Sequence, residues 1–431
     1  MQALLSFDKA PPFAAPLRFF LTAPLFAAAA GLLLAVAGEG ALSSRWLPAA
    51  LAATHLLTVG FMLQVMLGAL IQILPVVAGA NVPRPLAVAT AVHGGLTVGA
   101  LLLAAGFLAG SPAAFQGAAA ILALTAAIFL ATAGVALWSV PSTSPTIRGL
   151  KLALAALPVV VGLGAALAFG LAGKLSLPLV AVTDIHAAWG LGAWAGILLA
   201  VMSYVVVPMF QLTPGYPARL SWWLPVGLAG LFLLWSAAVA LDIPLIGRFA
   251  QGAVALGGLA FAGLTAHLQH QRRRAKADAT YRYWQLGLVS VALSMAMLAA
   301  AALSPALTEW AGWHALLAVL LVVGGFMSFI IGMLYKIVPF LAWLHLQNRG
   351  QGRVAAPNMN RILAEPPCQR QMRSHAAAVA LLALAAGFPG WLAVPAGLAL
   401  CGASLWLFLN LASALRAYRR HGAEVAERLV A

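Results

Sequence analysis

The sequence predicts an all-α polytopic membrane protein with twelve transmembrane helices and almost no soluble domain of its own. Of the 431 residues, 63% are hydrophobic and only 8% are charged, whereas a soluble domain carries roughly 25% charged residues. The mean hydropathy is +0.99. Apolar runs rich in Ala, Leu, Gly and Val reach the ~20 residues that a helix needs to cross the hydrocarbon layer. The short alternating segments typical of barrel strands do not occur.

The positions of the spans follow from the apolar runs between charged residues and Gly or Pro clusters. We expect them over 17–37, 47–78, 85–109, 113–138, 148–172, 178–210, 222–242, 248–268, 283–303, 312–341, 375–394 and 396–416. The second, sixth and tenth spans are longer than the others. The chain is therefore expected to form a single membrane domain over 1–431, with a polar cytoplasmic loop at 345–374.

The positive charges are distributed unevenly between the two sides of this topology. The net charge of +15 and the pI near 11.1 invite comparison with nucleic-acid-binding proteins. However, twenty of the 24 Lys and Arg residues lie on the side of the termini, and only Arg45, Lys174 and Arg248 lie in the opposite loops. This bias follows the positive-inside rule, so we expect a multi-pass protein of a bacterial inner membrane with both termini in the cytoplasm. The expected partner of the basic loops is anionic membrane lipid, not nucleic acid.

The three long spans share one pattern, in which a histidine near the start is followed by small and apolar residues and then by a proline. The pairs, separated by 20, 22 and 25 positions, are His55 and Pro75, His186 and Pro208, and His314 and Pro339. Because these spans are the second, sixth and tenth, the twelve helices divide into three units of four, a pseudo-threefold arrangement over approximately 17–138, 148–268 and 283–416. The three helices run in the same direction, which places each histidine in the outer third of the membrane.

Histidines within a bilayer are costly and usually face the interior of the helix bundle. A neutral imidazole is a common ligand of haem iron, copper and zinc. Three histidines at equivalent positions of the three units favour ligation over a simple hydrogen bond between helices. His55, His186 and His314 are therefore predicted to bind a cofactor or metal. Two imidazoles on facing helices can hold a haem, and three can form a copper or zinc site. Asp184, two residues before His186, is expected to support that ligand or a haem propionate.

Other residues give weaker indications. Met62 and Met66 follow His55 by 7 and 11 positions, which at 100° per residue would place all three on one helix face. His93 lies in the other half of its span and is expected not to be a ligand. Five further histidines are expected to be solvated: His267, His270, His345, His375 and His421. The absence of GxSxG, P-loop, CxxC and HExxH patterns leaves hydrolase and nucleotide-driven chemistry without support.

Architecture and histidines together resemble the catalytic subunit of haem–copper oxidases and nitric oxide reductases. The closest local similarity lies in the second span, where His55, Pro75 and the GANVPR run at 79–84 look like that family's low-spin haem ligand, proline and following loop. In the tenth span, His314 and the GGF run at 324–326 are similar to the family's tenth helix. The architectural resemblance covers essentially the whole chain, and the motifs cover short stretches of it.

Departures from the family pattern limit what the resemblance implies. The family carries a His-x-His pair on its tenth helix, and the partner position here is Gly312. The copper-binding histidine pair of the seventh helix is also missing, since 222–242 contains no histidine, and only His186 is left of the sixth-helix motif. A complete oxygen-reducing centre cannot be assembled. The resemblance therefore implies one low-spin haem b between the second and tenth helices, with His55 and His314 as axial ligands and His186 unassigned.

Within this superfamily, the chain resembles the NnrS family, whose members are degenerate relatives of the oxidases. The twelve-span proteins of that family contain haem and copper and are linked to nitric oxide stress. The LRFF run at 17–20 partly matches that family's N-terminal Arg-Pro-Phe-Phe. The resemblance implies a haem b protein, with copper as a further candidate, that acts in electron transfer or nitric oxide protection with a redox partner or quinol. Two alternatives stay open: a copper or small-solute transporter, and an active terminal oxidase or nitric oxide reductase.

Overall fold

The computed structural model describes residues 9–274, 276–351 and 353–430, and within these ranges the chain is helical and contains no strand. Eleven helices are long and apolar enough to cross a membrane, and one further long helix is more polar. In chain order, α1 to α12 are Ala14–Ala41, Pro48–Ala78, Pro85–Ala109, Pro112–Trp138, Pro145–Leu171, Leu179–Gln211, Ala218–Ala240, Pro244–His270, Ala279–Leu303, Trp313–Arg349, Glu365–Ala385 and Pro389–Val430. The protein is therefore a polytopic helical membrane protein, as its composition predicts.

The polar helix is α11, where the predicted boundaries are wrong. We expected a span over 375–394, but α11 ends at Ala385 and α12 begins at Pro389. The break coincides with Gly387 and with a proline in the first turn of α12, a position where proline loses no helical hydrogen bond. The first half of α11 carries Arg370 and Arg373, so its mean hydropathy is low although its second half is apolar.

The predicted cytoplasmic loop over 345–374 is much shorter in the structure. Residues up to Arg349 continue α10 and residues from Glu365 onward belong to α11, which leaves 350–364 with one helical turn at Met359–Ile362. Glu365 explains the early start of α11. Its carboxylate accepts hydrogen bonds from the Ala279 backbone N–H at 2.5 Å and from Gln369 at 3.1 Å, and thereby ties the helix start to α9.

Helices α2, α6 and α10 form the centre of the bundle together with α1. Between 56% and 78% of the most apolar window of each of these four helices is buried, compared with 17–44% for the other helices that are apolar enough to cross a membrane. The first and last helices, α1 and α12, also pack against each other. Their contact is close because it uses small residues, as is common between membrane helices. A Cβ on Gly31 would lie 2.5 Å from the Cys401 nitrogen, and one on Gly397 would lie 2.5 Å from the Ala35 nitrogen.

Each of the three long central helices contains a π-helical segment shortly after its histidine. The segments are Leu56–Leu63 in α2, Trp189–Gly196 in α6 and Val319–Met327 in α10. Single π turns within α-helices often lie at functional sites, and runs of eight or nine residues are longer than such turns. The segments of α2 and α10 contact each other directly. Shorter π segments lie at the end of α2 and within α4.

Candidate metal centre

Two of the three predicted ligands face each other where α2 and α6 begin. The imidazole centres of His55 and His186 are 6.4 Å apart, and their planes differ by 15°. His55 Nδ1 lies 2.8 Å from the Leu51 carbonyl oxygen, and His186 Nδ1 lies 3.1 Å from that of Val160. Because a carbonyl oxygen only accepts, each Nδ1 is the protonated donor, and Nε2 of the neutral ring holds a lone pair. Among the described residues neither Nε2 has a hydrogen-bond partner.

This separation can be compared with that of two imidazoles that bind one metal. Two imidazoles that bind one metal from opposite sides, with bonds of about 2.0–2.1 Å, have ring centres roughly 6.3 Å apart. The observed 6.4 Å matches that value. A donated hydrogen bond from the other ring nitrogen is the arrangement that fixes the tautomer and orientation of metal-binding histidines. The His55–His186 pair therefore has both the spacing and the tautomers of a two-histidine metal site.

Neighbouring helices hold the two rings in place. Phe107 of α3 packs against His55 with ring centres 5.0 Å apart. On the other side, α5 approaches His186 closely at Gly164, where an added Cβ would lie 3.0 Å from the His186 Cε1 atom. The pair is therefore enclosed by an aromatic side chain on α3 and by glycine backbone on α5.

His314 lies apart from this pair. It is exposed at the start of α10 and lines a cavity of about 210 Å³ together with Arg45, Thr54 and Leu57. Since Thr54 and Leu57 face this cavity, His55 lies on a different side of α2, toward α3 and α6. The structure thus does not bring His55 and His314 together as the axial pair that the family resemblance implies, although α2 and α10 are in contact.

Asp184 pairs with a cation and does not bond to the His186 ring. Its carboxylate accepts a hydrogen bond from Arg45 at 2.5 Å, and the Arg45 guanidinium lies over the Trp46 ring at 4.6 Å. Both charged groups are about one-third exposed, so the ion pair contributes at most about 1 kcal/mol to stability. It joins the loop between α1 and α2 to α6, close to the three histidines.

Gly312 occupies the position where the resembled family has its second histidine on the tenth helix. An added Cβ at Gly312 would lie 2.3 Å from the Ala386 carbonyl oxygen and 2.4 Å from the Trp310 ring. No side chain fits there without moving backbone. The packing around Gly312 therefore excludes a second histidine ligand at this point of α10.

The histidines of α3 and α11 have structural partners. His93 Nε2 lies 2.9 Å from the Thr22 hydroxyl of α1. His375 is fully buried, and its Nε2 lies 3.0 Å from the Ser328 hydroxyl of α10. The prediction that His375 is solvated is wrong, because α11 starts ten residues earlier and carries this side chain into the bundle. The prolines and the acid at 365–367, typical of a first helical turn, were the signal for that start.

The candidate centre brings two histidines together and, among the described residues, no third ligand type near them. In the ranges that the structure describes, no three His, Cys, Asp or Glu residues lie close enough together to hold a metal ion. Comparison with models of known protein families gave no match, and a search of curated proteins also gave none. The resemblance to haem–copper oxidases therefore stays a prediction.

Proposed function

We propose that this protein is a membrane redox protein that holds one haem b between His55 and His186 and acts in electron transfer or nitric oxide protection. The observation that carries the proposal is the 6.4 Å separation of two nearly parallel imidazoles whose Nε2 atoms have no hydrogen-bond partner. The proposal retains the cofactor expected from the sequence and replaces His314 with His186 as the second ligand.

The number of ligands favours haem over a free metal ion. A haem iron takes four nitrogens from its macrocycle, so two histidines complete its coordination. Structural zinc sites require four ligands, and copper(II) prefers four in a tetragonal arrangement. Copper(I), a softer ion that accepts fewer ligands, is the second candidate for this pair.

His55 and His186 would hold the haem, which would supply a one-electron redox couple; a haem with two protein ligands suits electron transfer. The carbonyl oxygens of Leu51 and Val160 accept from the Nδ1–H groups of the two rings and leave Nε2 available as the ligand atom. Gly312 leaves no room for the ligand of a second haem. These features favour electron transfer over reduction of a bound gas.

We further propose that all twelve long helices cross the membrane as three units of four, with both termini in the cytoplasm. The π-helical segments support the equivalence of α2, α6 and α10, because each begins within five residues of its histidine. The apolar second half of α11 supports a twelfth crossing, and the excess of positive charge on one side supports the orientation.

A visible spectrum tests the proposed haem. The protein, purified from cells with an adequate haem supply, should be red and show the reduced-minus-oxidised bands of a bis-histidine haem b. His55→Ala and His186→Ala should each remove at least nine-tenths of the bound haem, because each removes one axial ligand. His314→Ala should retain the spectrum, and His93→Ala, which removes a half-buried histidine on the neighbouring helix α3, is the matched control.

A colourless preparation would overturn the proposal for haem, and metal analysis of the same sample would then show whether the pair binds copper. Loss of haem in His314→Ala with retention in His186→Ala would instead restore the axial pair implied by the family resemblance.

A further inference from the structure

The cavity that His314 lines has a mixed wall of polar and apolar side chains. It occupies about 210 Å³ between α1, α2, α10, α11 and the loop that joins α1 to α2, and neither His55 nor His186 is in its wall. Its polar side chains, apart from the Trp46 indole, are Ser43, Ser44, Arg45, Thr54 and His314. No Asp or Glu is among the described residues that line it. The wall therefore offers a cation and hydroxyls without a carboxylate.

The polar and apolar groups occupy different parts of the cavity. Arg45 and the serines belong to the loop before α2, and His314 lies in the first turn of α10. The larger aliphatic side chains are Leu34, Leu57, Val319, Val322 and Val323, each at most 7% exposed. Val323 follows His314 by nine positions, which is about two helical turns. The cavity thus has a polar mouth at the end of the bundle and a buried apolar interior.

The groups at the mouth are accessible and have unused hydrogen-bonding capacity. The Arg45 side chain is 30% exposed, and Asp184 is the only described residue that accepts from its guanidinium. The His314 ring is exposed and makes no hydrogen bond to a described residue. It lies close enough to Arg45 and Asp184 for both charges to act on it. Because a guanidinium can only donate, this mouth favours a ligand that accepts hydrogen bonds.

The size and polarity of the cavity limit the ligands that fit. An engineered protein cavity of about 150 Å³ binds benzene, so 210 Å³ has room for one ring with a small polar substituent. An inorganic anion would leave the apolar interior empty, and a hydrocarbon would leave the mouth without an acceptor. A carboxylate matches the paired N–H groups of a guanidinium. A ring or short chain that ends in a carboxylate meets both requirements.

We infer that this cavity binds a small monocarboxylate with an apolar body, of the size of an aromatic or short aliphatic acid. The carboxylate accepts from the Arg45 guanidinium and from the His314 ring, and the apolar body lies against the aliphatic side chains of α2 and α10. Asp184 shares the guanidinium with the ligand, since its several N–H groups can serve two carboxylates. His314 thereby has a role that does not involve a metal.

The cavity and the candidate metal centre can be tested separately. Thr54 and Leu57 face the cavity, whereas His55 lies on the side of α2 that faces α3 and α6. Binding of a carboxylate at Arg45 does not require a metal at the His55–His186 pair. Failure of one proposal therefore leaves the other unchanged.

A titration with para-fluorobenzoate, followed by fluorine NMR, tests for the site. The protein is held in nanodiscs of zwitterionic lipid, and empty nanodiscs give the background. The wild type should show one saturable site. Arg45→Gln should weaken binding about 10-fold or more, because it removes a charge-assisted hydrogen bond. His314→Ala should weaken it about 3- to 10-fold. Ala318→Phe, at an exposed position that lines the cavity, should abolish saturable binding.

Matched controls separate ligand contact from general effects of substitution. Asp184→Asn breaks the same ion pair as Arg45→Gln but keeps the guanidinium, so it should bind para-fluorobenzoate at least as tightly as the wild type. Ala131→Phe adds the same ring at an exposed position of α4 outside the cavity and should leave the affinity unchanged. His55→Ala should also bind with wild-type affinity. Arg45→Gln should retain the haem spectrum.

The contrary results are equally definite. Wild-type affinity in both Arg45→Gln and His314→Ala would show that the ligand does not bind at this mouth. Absence of a saturable site in the wild type overturns the assignment. If a site then appears in His55→Ala, a propionate of the bound haem occupies the cavity, and a free carboxylate ligand is excluded.

Two unlabelled competitors test the chemical class of the ligand. Benzyl alcohol has the ring without the carboxylate, and sulfate has the negative charge without the ring. Neither should displace para-fluorobenzoate at concentrations where benzoate does. Equal competition by benzyl alcohol would mean that the cavity accepts any apolar body. Equal competition by sulfate would mean a simple anion site. Either result makes the assignment to monocarboxylates wrong.

Discussion

At the scale of single residues, the histidines of the candidate centre differ from those of α3 and α11 in which ring nitrogen is bonded. His55 and His186 use Nδ1 for a backbone carbonyl and keep Nε2 free. His93 and His375 use Nε2 for a hydroxyl of a neighbouring helix. The first arrangement leaves Nε2 available as a ligand, whereas the second joins two helices. Position within the membrane alone does not separate these two uses.

Gly164 provides a prediction at this scale. Gly164→Ala should disturb the metal centre, because the added methyl would lie 3.0 Å from His186 Cε1 and push the ring from its position. We expect a shift in the haem absorption bands and at least a several-fold loss of bound haem. Gly162→Ala is the matched control on the same helix, since its Cβ meets nothing within 4 Å. Equal effects of the two substitutions would show that the close approach at Gly164 does not position His186.

The sequence identified the residue types of the site but not their pairing. Three histidines at equivalent points of long spans were visible in the pattern, and two of them do meet. The choice between His186 and His314 depends on which face of α2 carries His55. The π segment that begins at Leu56 has more residues per turn than an α-helix, so the rotation of 100° per residue that would place Met62 and Met66 on the face of His55 does not apply there. Met66 lines a cavity between α2, α6 and α10 whose wall does not include His55.

At the scale of elements, α11 shows how a polar helix half is accommodated inside the bundle. Its Gln371 side chain is fully buried. The carbonyl accepts from Tyr283 of α9 at 2.5 Å and from Tyr335 of α10 at 2.9 Å, and the amide donates to the Ala403 carbonyl of α12 at 3.0 Å. One side chain thus links α11 to three helices. The low hydropathy of 365–374, read from sequence as a loop, comes from the exposed Arg370 and Arg373 and from Glu365 and Gln371, which bond to other helices.

Gln371→Leu should destabilise the protein because it leaves the Tyr283 and Tyr335 hydroxyls without an acceptor. At about 1–3 kcal/mol for each orphaned group, we expect a loss of roughly 2–4 kcal/mol in the free energy of unfolding. Thermal or denaturant unfolding of the purified protein in detergent measures it. Gln369→Leu, which lies on the same helix and is only half-buried, should change stability by less than about 0.5 kcal/mol. A neutral effect of Gln371→Leu would contradict the role assigned to this network.

An acidic residue in the loop before α9 pairs with the lysine that lies within the tenth predicted span. Lys336 Nζ donates to the Asp278 carboxylate at 2.7 Å, and Arg274 lies 3.1 Å from the same oxygen. Burial raises the pKa of Asp278, but the hydrogen bond from Lys336, the Tyr281 backbone N–H and the two positive charges outweigh it and hold the pKa below its ordinary value of 3.8. The cation of α10 is therefore neutralised by a residue distant in sequence.

Because the pKa of Asp278 is lower in the folded state, its stabilising effect should be complete above the unfolded value of 3.8 and disappear as the pH falls through the folded value. Asp278→Asn should lower the Tm at pH 7, and its deficit relative to the wild type should shrink only below about pH 4. Asp242→Asn, in an exposed loop at a positive φ of 53° that asparagine tolerates, is the control. A Tm difference that is constant down to pH 2 would rule out this ion pair as the cause.

At the scale of the whole molecule, the fold class follows from composition, and the structure confirms a helical membrane protein. Span positions were predicted to within a few residues for α2, α3, α4, α5 and α6. The predicted bounds of α11 and α12 were wrong because hydropathy does not show where a helix breaks within an apolar stretch. The pseudo-threefold relation and the orientation remain predictions, since they depend on the membrane and on helix equivalence.

Reporter fusions test the orientation and the number of crossings. Alkaline phosphatase fused after Leu175 or after Phe388 should be active, because both points are predicted to lie outside. Green fluorescent protein fused after Arg274 or at the C-terminus should fluoresce, because both points are predicted to lie in the cytoplasm. The fusion at Phe388, compared with that after Arg274, tests whether α11 crosses, and the fusions at Phe388 and at the C-terminus test whether α12 crosses. If both report the same side, α12 does not cross as predicted, and a reversed pattern throughout would refute the positive-inside assignment.

The contact between α1 and α12 has a consequence for biosynthesis. Gly31 and Gly397 let the first and last helices approach to backbone contact, so the packing surface of α1 stays without its partner until nearly the whole chain has been made. We expect α1 to remain in contact with lipid or with the insertion machinery during that interval. The bundle can therefore close only after translation has reached α12, and chains that terminate before it would expose the α1 surface to quality-control proteases.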